Sequence, residues 1–220
     1  MALNKLKFNS LNVTPTAGKA VGFNSSANGL EATLSGGSIV FLKKLTASSS
    51  STLSFVDGSD SVNIDSTYNQ YMFVFNDIHP STNNAHFGFQ VNASGGSGYN
   101  ETITSAVFRA LHQENDSTPA LEYDPNSADQ AQGTGLQYLQ DYVGDDTDQS
   151  CSGYLQLFNL ASTTLVKNFI ARMANYNGND YAVDQFTSGY INTTSAIDEI
   201  QFKFHSGNID AGTITLYGIN

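Results

Sequence analysis

Twenty carboxylates, four histidines and one cysteine are the residues of this chain that could do acid–base, metal or nucleophilic chemistry. Cleaving a glycosidic bond needs two carboxyl groups facing each other across a groove. The carboxylates sit mostly in loops, and Asp57, Asp77, Asp116, Asp145, Asp146 and Asp180 stand in Asp-Gly, Asn-Asp and Asp-Asp contexts that belong to turns. The best strand-borne carboxylates, Asp198 and Glu199, are adjacent, and alternation along a strand sends neighbours to opposite faces. His79, His86, His112 and His205 fall into no His-x-His or His-Glu-x-x-His spacing. Asp145-Asp146-Thr147-Asp148 could offer oxygens to calcium, yet it lacks the glycine and distal Glu of the helical calcium loop. No Gly-x-Ser-x-Gly elbow, phosphate loop or dinucleotide fingerprint occurs; Gly95-Gly96-Ser97-Gly98 reads as a hairpin connection. Cys151 stands alone, without a partner for an internal disulfide, and its nearest charges are Asp145, Asp146 and Asp148, which disfavour a thiolate. The chain therefore reads as a non-enzyme with no cofactor and no metal. One turn offers binding chemistry. Tyr176, Asn177, Asn179, Asp180 and Tyr181 combine two rings with amide and carboxylate groups, a set suited to stacking on a sugar and bonding its hydroxyls. The same five residues also make a plain hairpin loop with two half-buried tyrosines, and the lack of Trp removes the strongest stacking platform.

The elements that must position these groups are strands. Period-two or continuous apolar runs rich in Phe, Tyr, Ile, Val and Thr recur along the chain. They include Ile39–Leu45, Leu53 with Phe55, Val62 with Ile64, Tyr71–Phe75, Phe87–Val91 and Ile103–Leu111. Further on come Gln137–Val143, Tyr154–Phe158, Val166–Met173, Phe186–Ile191, Ile197–Phe204 and Thr213–Ile219. Turn clusters such as Asn92–Asn100, Asn175–Asp180 and Ser206–Gly212 separate them. The period of Ser127–Tyr142 is ambiguous and would also suit a short helix. This pattern predicts an all-β fold, an antiparallel β-sandwich of jelly-roll type over residues 36–220. Residues 112–136 and 144–150 form long acidic connections, where a rigid scaffold would carry a binding site or a repulsive, soluble surface.

Charge sets the amino-terminal end apart. Of nine Lys and Arg, five lie in residues 1–44 beside the single acid Glu31, although the chain as a whole has a net charge of −11. With Pro15, Gly18, Gly22 and Asn28-Gly29, residues 1–35 read as an extended arm rather than a core element. The acidic balance argues against nucleic acid and against an anionic membrane surface as partners. No run approaches the length of a spanning helix, and the start lacks the apolar stretch of a secretory signal, so synthesis in a cytoplasm is expected.

Four groups of residues together resemble a family of virion structural proteins of tailed phages of marine bacteria, cyanophages especially. The first is Lys5–Pro15 with Phe23-Asn24-Ser25 and Asn28–Glu31; the second is Asp65–Tyr71 running on to Asn76–Pro80. The third is Tyr154–Asn159 with Ser162–Thr164, and the fourth is Gly189–Ile197 with Ser206–Ile214 and Leu216–Ile219. The resemblance covers most of the chain and carries no established active site. It implies a virion location and other virion proteins, of capsid or tail, as partners. By analogy with phage sandwich domains it also implies a homotrimer. On this reading the chain is an accessory capsid surface protein, of decoration or cement type, docked through its arm. Lys5, Leu6, Lys7, Phe8, Leu11, Lys19 and Phe23 would supply charge and apolar anchors. The alternative is a tail- or fibre-associated module in which the Tyr176–Tyr181 turn holds a host surface glycan.

Overall fold

The computed structural model of the protein describes residues 20–23, 26, 28–33, 38–123 and 128–220. Contacts divide the chain into two compact units, Met1–Val40 and Phe41–Asn220. In the first, β1 (Ala20–Phe23) and β2 (Leu30–Thr33) pair as an antiparallel hairpin, Phe23 opposite Leu30. An arm without core elements was the expectation; the chain here pairs with itself. The arm positions Lys5, Leu6, Lys7, Phe8, Leu11 and Lys19 lie outside the described residues.

Twelve strands follow: β3 (Ile39–Thr46), β4 (Leu53–Val56), β5 (Gln70–Pro80), β6 (Ala85–Ala93), β7 (Ile103–Gln113) and β8 (Ala120–Tyr123). Then come β9 (Gln137–Val143), β10 (Cys151–Phe158), β11 (Lys167–Tyr176), β12 (Tyr181–Ile191), β13 (Ile197–Phe204) and β14 (Ile209–Ile219). No helix occurs among the described residues, and the described part of Ser127–Tyr142 runs irregularly into β9 instead. The strands form an eight-stranded sheet, β3-β14-β5-β10-β11-β12-β7-β8, and a four-stranded sheet, β4-β13-β6-β9. Their pairings are antiparallel. The architecture is an all-β, sandwich-like one.

Period-two burial shows how sequence selects the core face. Along β11, Lys167, Phe169, Ala171, Met173 and Asn175 are buried, while Asn168, Ile170, Arg172 and Ala174 are exposed. The apolar face of each sheet meets the other in one cluster. Phe202 of β13 sits at its centre, its ring centroid 5.0 Å from Phe73, 5.2 Å from Phe75 and 6.2 Å from both Phe55 and Phe87. Phe89 of β6 meets Phe169 of β11 edge-on at 5.2 Å, so β11 is also covered. Val62 and Ile64 are buried as their alternation suggests, yet they lie in no strand. Their backbones close on a turn instead: Gly58 donates to the Val62 carbonyl, and the Ile64 N–H to Asp57 Oδ1 at 2.8 Å. β8, inside the acidic 112–136 segment, is a strand with no apolar alternation strong enough to announce it.

Loops close the outer face of the four-stranded sheet. Gln90 of β6 is buried there and donates to the carbonyls of Glu101, Thr134 and Gly135. Gly88 permits this approach, because a Cβ at that position would fall on the Gln137 carbonyl. The outer face of the eight-stranded sheet carries the candidate site.

Candidate functional site

Across β7, β12, β11 and β10, register fixes which outward side chains stand together. One row reads Phe108, Phe186, Arg172, Tyr154, with Tyr123 of β8 beyond Phe108. The next row reads Ala110, Asp184, Ala174, Ser152. A third brings His112 opposite Ala182 and Ala182 opposite Tyr176. Large planar groups therefore flank a middle band of Ala and Ser. The small side chains leave an open groove of about 780 Å³ on the sheet surface. That volume falls within the range of small-ligand sites, roughly 300–1,000 Å³. Asp148 and Ser150, from the acidic connection before β10, line it as well.

The first row is held rigid. Phe108 and Phe186 stack at 4.8 Å between centroids with planes 6° apart. The Arg172 guanidinium lies 4.8 Å over the Phe186 ring. Arg172 also donates through Nε to Asp184 Oδ1 at 3.0 Å and through Nη2 to Asp184 Oδ2 at 2.8 Å. This two-pronged bond holds the guanidinium more firmly in its charged form. Two of its five N–H donors are thereby used, and the side chain lines the groove. On the opposite bank the Tyr176 hydroxyl donates to Asp180 Oδ1 at 3.1 Å, and this bond raises the phenol pKa.

The turn singled out in the sequence does not act as one unit. Tyr176 lines the groove, but Asn177, Asn179 and Tyr181 line a separate hollow of about 210 Å³ with Arg109 and Glu122. The register explains the split: Tyr176 pairs with Ala182, so Tyr181 points to the other face of the sheet. Asn177 is buried, and its Oδ1 accepts from the N–H groups of Asn179 and Tyr181, the work of a turn-forming side chain. Asp180 is left with the Tyr176 hydroxyl. In the smaller hollow Arg109 bonds Glu122 at 2.9 Å and approaches the buried Asp141 at 3.6 Å. Phe23, the arm position within the described residues, is 74% exposed at the end of β1.

The remaining titratable groups are placed as follows. His79 Nδ1 bonds the Gln149 carbonyl at 2.6 Å, and His112 Nε2 meets Asp116 at 3.0 Å on the surface. His86 and His205 lie 4.5 Å apart, ring centre to ring centre. Burial, then the His86 ring, lowers the His205 pKa. Cys151 is fully buried and burial pushes its thiol pKa up. Asp198 and Glu199 depart from simple alternation, because β13 carries a register shift between Ile197 and Glu199. Both are half-buried, and both charges reach Tyr99, whose pKa rises first from burial. Among the described residues, no group of three or more His, Cys, Asp and Glu could hold a metal ion.

The groove was missed by sequence reasoning because its floor is made of Ala110, Ala174, Ala182 and Ser152, residues without chemistry of their own. The usable signal was Arg172, at an outward position of the Val166–Met173 run; Asp184 lies two residues before the Phe186–Ile191 run, in the part of β12 that the structure adds back to Tyr181. Comparison with protein-family models, with curated proteins and with solved structures gave no match.

Proposed function

We propose that the chain is a structural component of a tailed-phage particle, a jelly roll displayed on the capsid surface as an accessory protein of decoration or cement type. The observation that carries this reading is the strand order. β3, β14, β5 and β10 stand side by side in one sheet, against β4, β13, β6 and β9 in the other. From β3 to β14 the chain changes sheet at every connection except β7 to β8, β10 to β11 and β11 to β12. Such alternation supports the jelly-roll reading, two Greek keys wound around one core, an architecture that viral capsid and lectin domains use. The pairs β7–β8 and β11–β12 widen the sheet beyond β10. The sequence resemblance to marine-phage virion proteins supplies the particle, the virion partners and the homotrimer. Residues 1–35, with Lys5, Lys7 and Lys19 against Glu31, supply the docking arm.

A second reading, a tail- or fibre-borne module that holds a host surface glycan, is favoured by the open groove of the eight-stranded sheet. Immunogold labelling of purified particles with an antibody to residues 36–220 separates the two. Gold over heads supports decoration, and deleting residues 1–35 should then abolish particle binding while the body stays folded. Gold confined to tails or fibres makes the receptor reading primary. Particles without gold overturn both.

A further inference from the structure

The groove selects its ligand by shape, exposed chemistry and charge. It runs across four strands rather than along an edge, so it offers no row of unpaired backbone groups to an extended peptide. Its rims alternate flat apolar faces, Tyr154 and Tyr176, with fixed polar groups, the Arg172–Asp184 pair and Ser152. A ligand that matches must present apolar faces and hydroxyl edges at once, as a pyranose ring does. The two Asp184 oxygens each accept one bond from Arg172, and each has a further lone pair to accept with. The unused Arg172 donors lie beside them, so a vicinal diol can donate to the carboxylate and accept from the guanidinium. The groove stays open along its length, which suits a chain of sugars rather than one enclosed monosaccharide.

Charge narrows the class further. Asp148 and Asp184 line the groove, Asp180 bonds Tyr176, and the two basic side chains among the described lining residues, Arg172 and His112, each already face a carboxylate, Asp184 and Asp116. The protein as a whole has a net charge of −11. Sulfated or uronic-acid polymers and nucleic acids would meet repulsion, with no basic group left unpaired by a carboxylate to compensate among the described lining residues. We propose that the outer face of β7, β10, β11 and β12 is a binding site for uncharged oligosaccharides, with Tyr154 and Tyr176 as stacking platforms and Arg172–Asp184 as the diol clamp. This rests on the receptor-type reading above, and it moves the sugar site from the Tyr176–Tyr181 turn to the sheet face.

The full chain is titrated against immobilised maltohexaose, laminarihexaose, cellohexaose, mannohexaose and xylohexaose, and against hexagalacturonate and a sulfated carrageenan hexasaccharide. Tyr154→Ala, Tyr176→Ala and Asp184→Asn are measured beside Ile170→Ser, an exposed change on the same face outside the groove. The expected result is binding of at least one uncharged hexasaccharide, weakened tenfold or more by each groove variant and unchanged by Ile170→Ser. Preference for a charged hexasaccharide overturns the ligand class and leaves the receptor reading standing. Binding that the groove variants do not weaken overturns the site. No binding of any sugar at millimolar concentration overturns both the site and the receptor reading.

Discussion

Replacing Lys167 by Met tests how the two loops at one end of the sandwich are held. Lys167 opens β11 on the core face and is fully buried; among the described residues no acidic side chain bonds its ammonium, and burial lowers its pKa, though the Glu101 charge acts on it. Nζ instead donates to four carbonyls, Ser162 at 2.7 Å, Leu165 at 3.1 Å, Thr193 at 3.2 Å and Ser195 at 2.5 Å. Two of these lie before β11 and two after β12, so one charge ties both connections together. An ammonium has three donors, so four acceptors share them. Hydrogen bonds from a charged donor contribute about 1.5–3 kcal/mol each, or roughly 4.5–9 kcal/mol for three. Recovering the ammonium's hydration offsets several kcal/mol of that. Methionine keeps the apolar stem and leaves the carbonyls unbonded, so the expected net loss is about 3–5 kcal/mol. For a chain of this size that lowers Tm by roughly 6–20 °C. Urea and thermal unfolding followed by circular dichroism read the loss, with the exposed Lys44→Met as control. A loss below about 1 kcal/mol, equal to the control, would refute the reasoning, because hydration would then balance the carbonyl cage.

Other outcomes follow from the same geometry. Phe202→Ala opens a cavity among four rings at the sheet interface and should cost about 4 kcal/mol, read by urea unfolding. Gly88→Val drives a side chain onto the Gln137 carbonyl between β6 and β9 and should cost about 1–3 kcal/mol in the same assay. His205 is neutral when its Nδ1 accepts the His86 N–H at 2.8 Å. Its folded pKa is lowered, so just below the ordinary value near 6.5 the unfolded chain binds more protons than the folded one. Stability should therefore fall as pH falls through about 6.5 and level off below the folded pKa; His205→Gln should flatten that slope in melts across pH 5–8. Asp184→Asn breaks an exposed ion pair and should leave the melting temperature essentially unchanged.

Strand identity was largely legible in the sequence, because burial on one face forces alternation. β11 and β13 could be drawn from their side chains before any pairing was known. Legibility failed where backbone bonding decided the element. Val62 and Ile64 alternate and are buried, yet a turn satisfies their backbone; β8 lacks strong alternation, yet it pairs with β7 at Phe108, Arg109, Ala110 and Leu111. Adjacency also misled at the Tyr176–Tyr181 turn, where hairpin register turns two tyrosines to opposite faces.

By itself, then, the sequence determined an acidic all-β chain with one compositionally distinct end, because charge and period-two burial are properties of local residues. Only the tertiary structure decided the groove, the Arg172–Asp184 clamp and the Lys167 cage. Each joins residues from separate strands or loops, and cross-strand register, which no local pattern encodes, sets which of them meet.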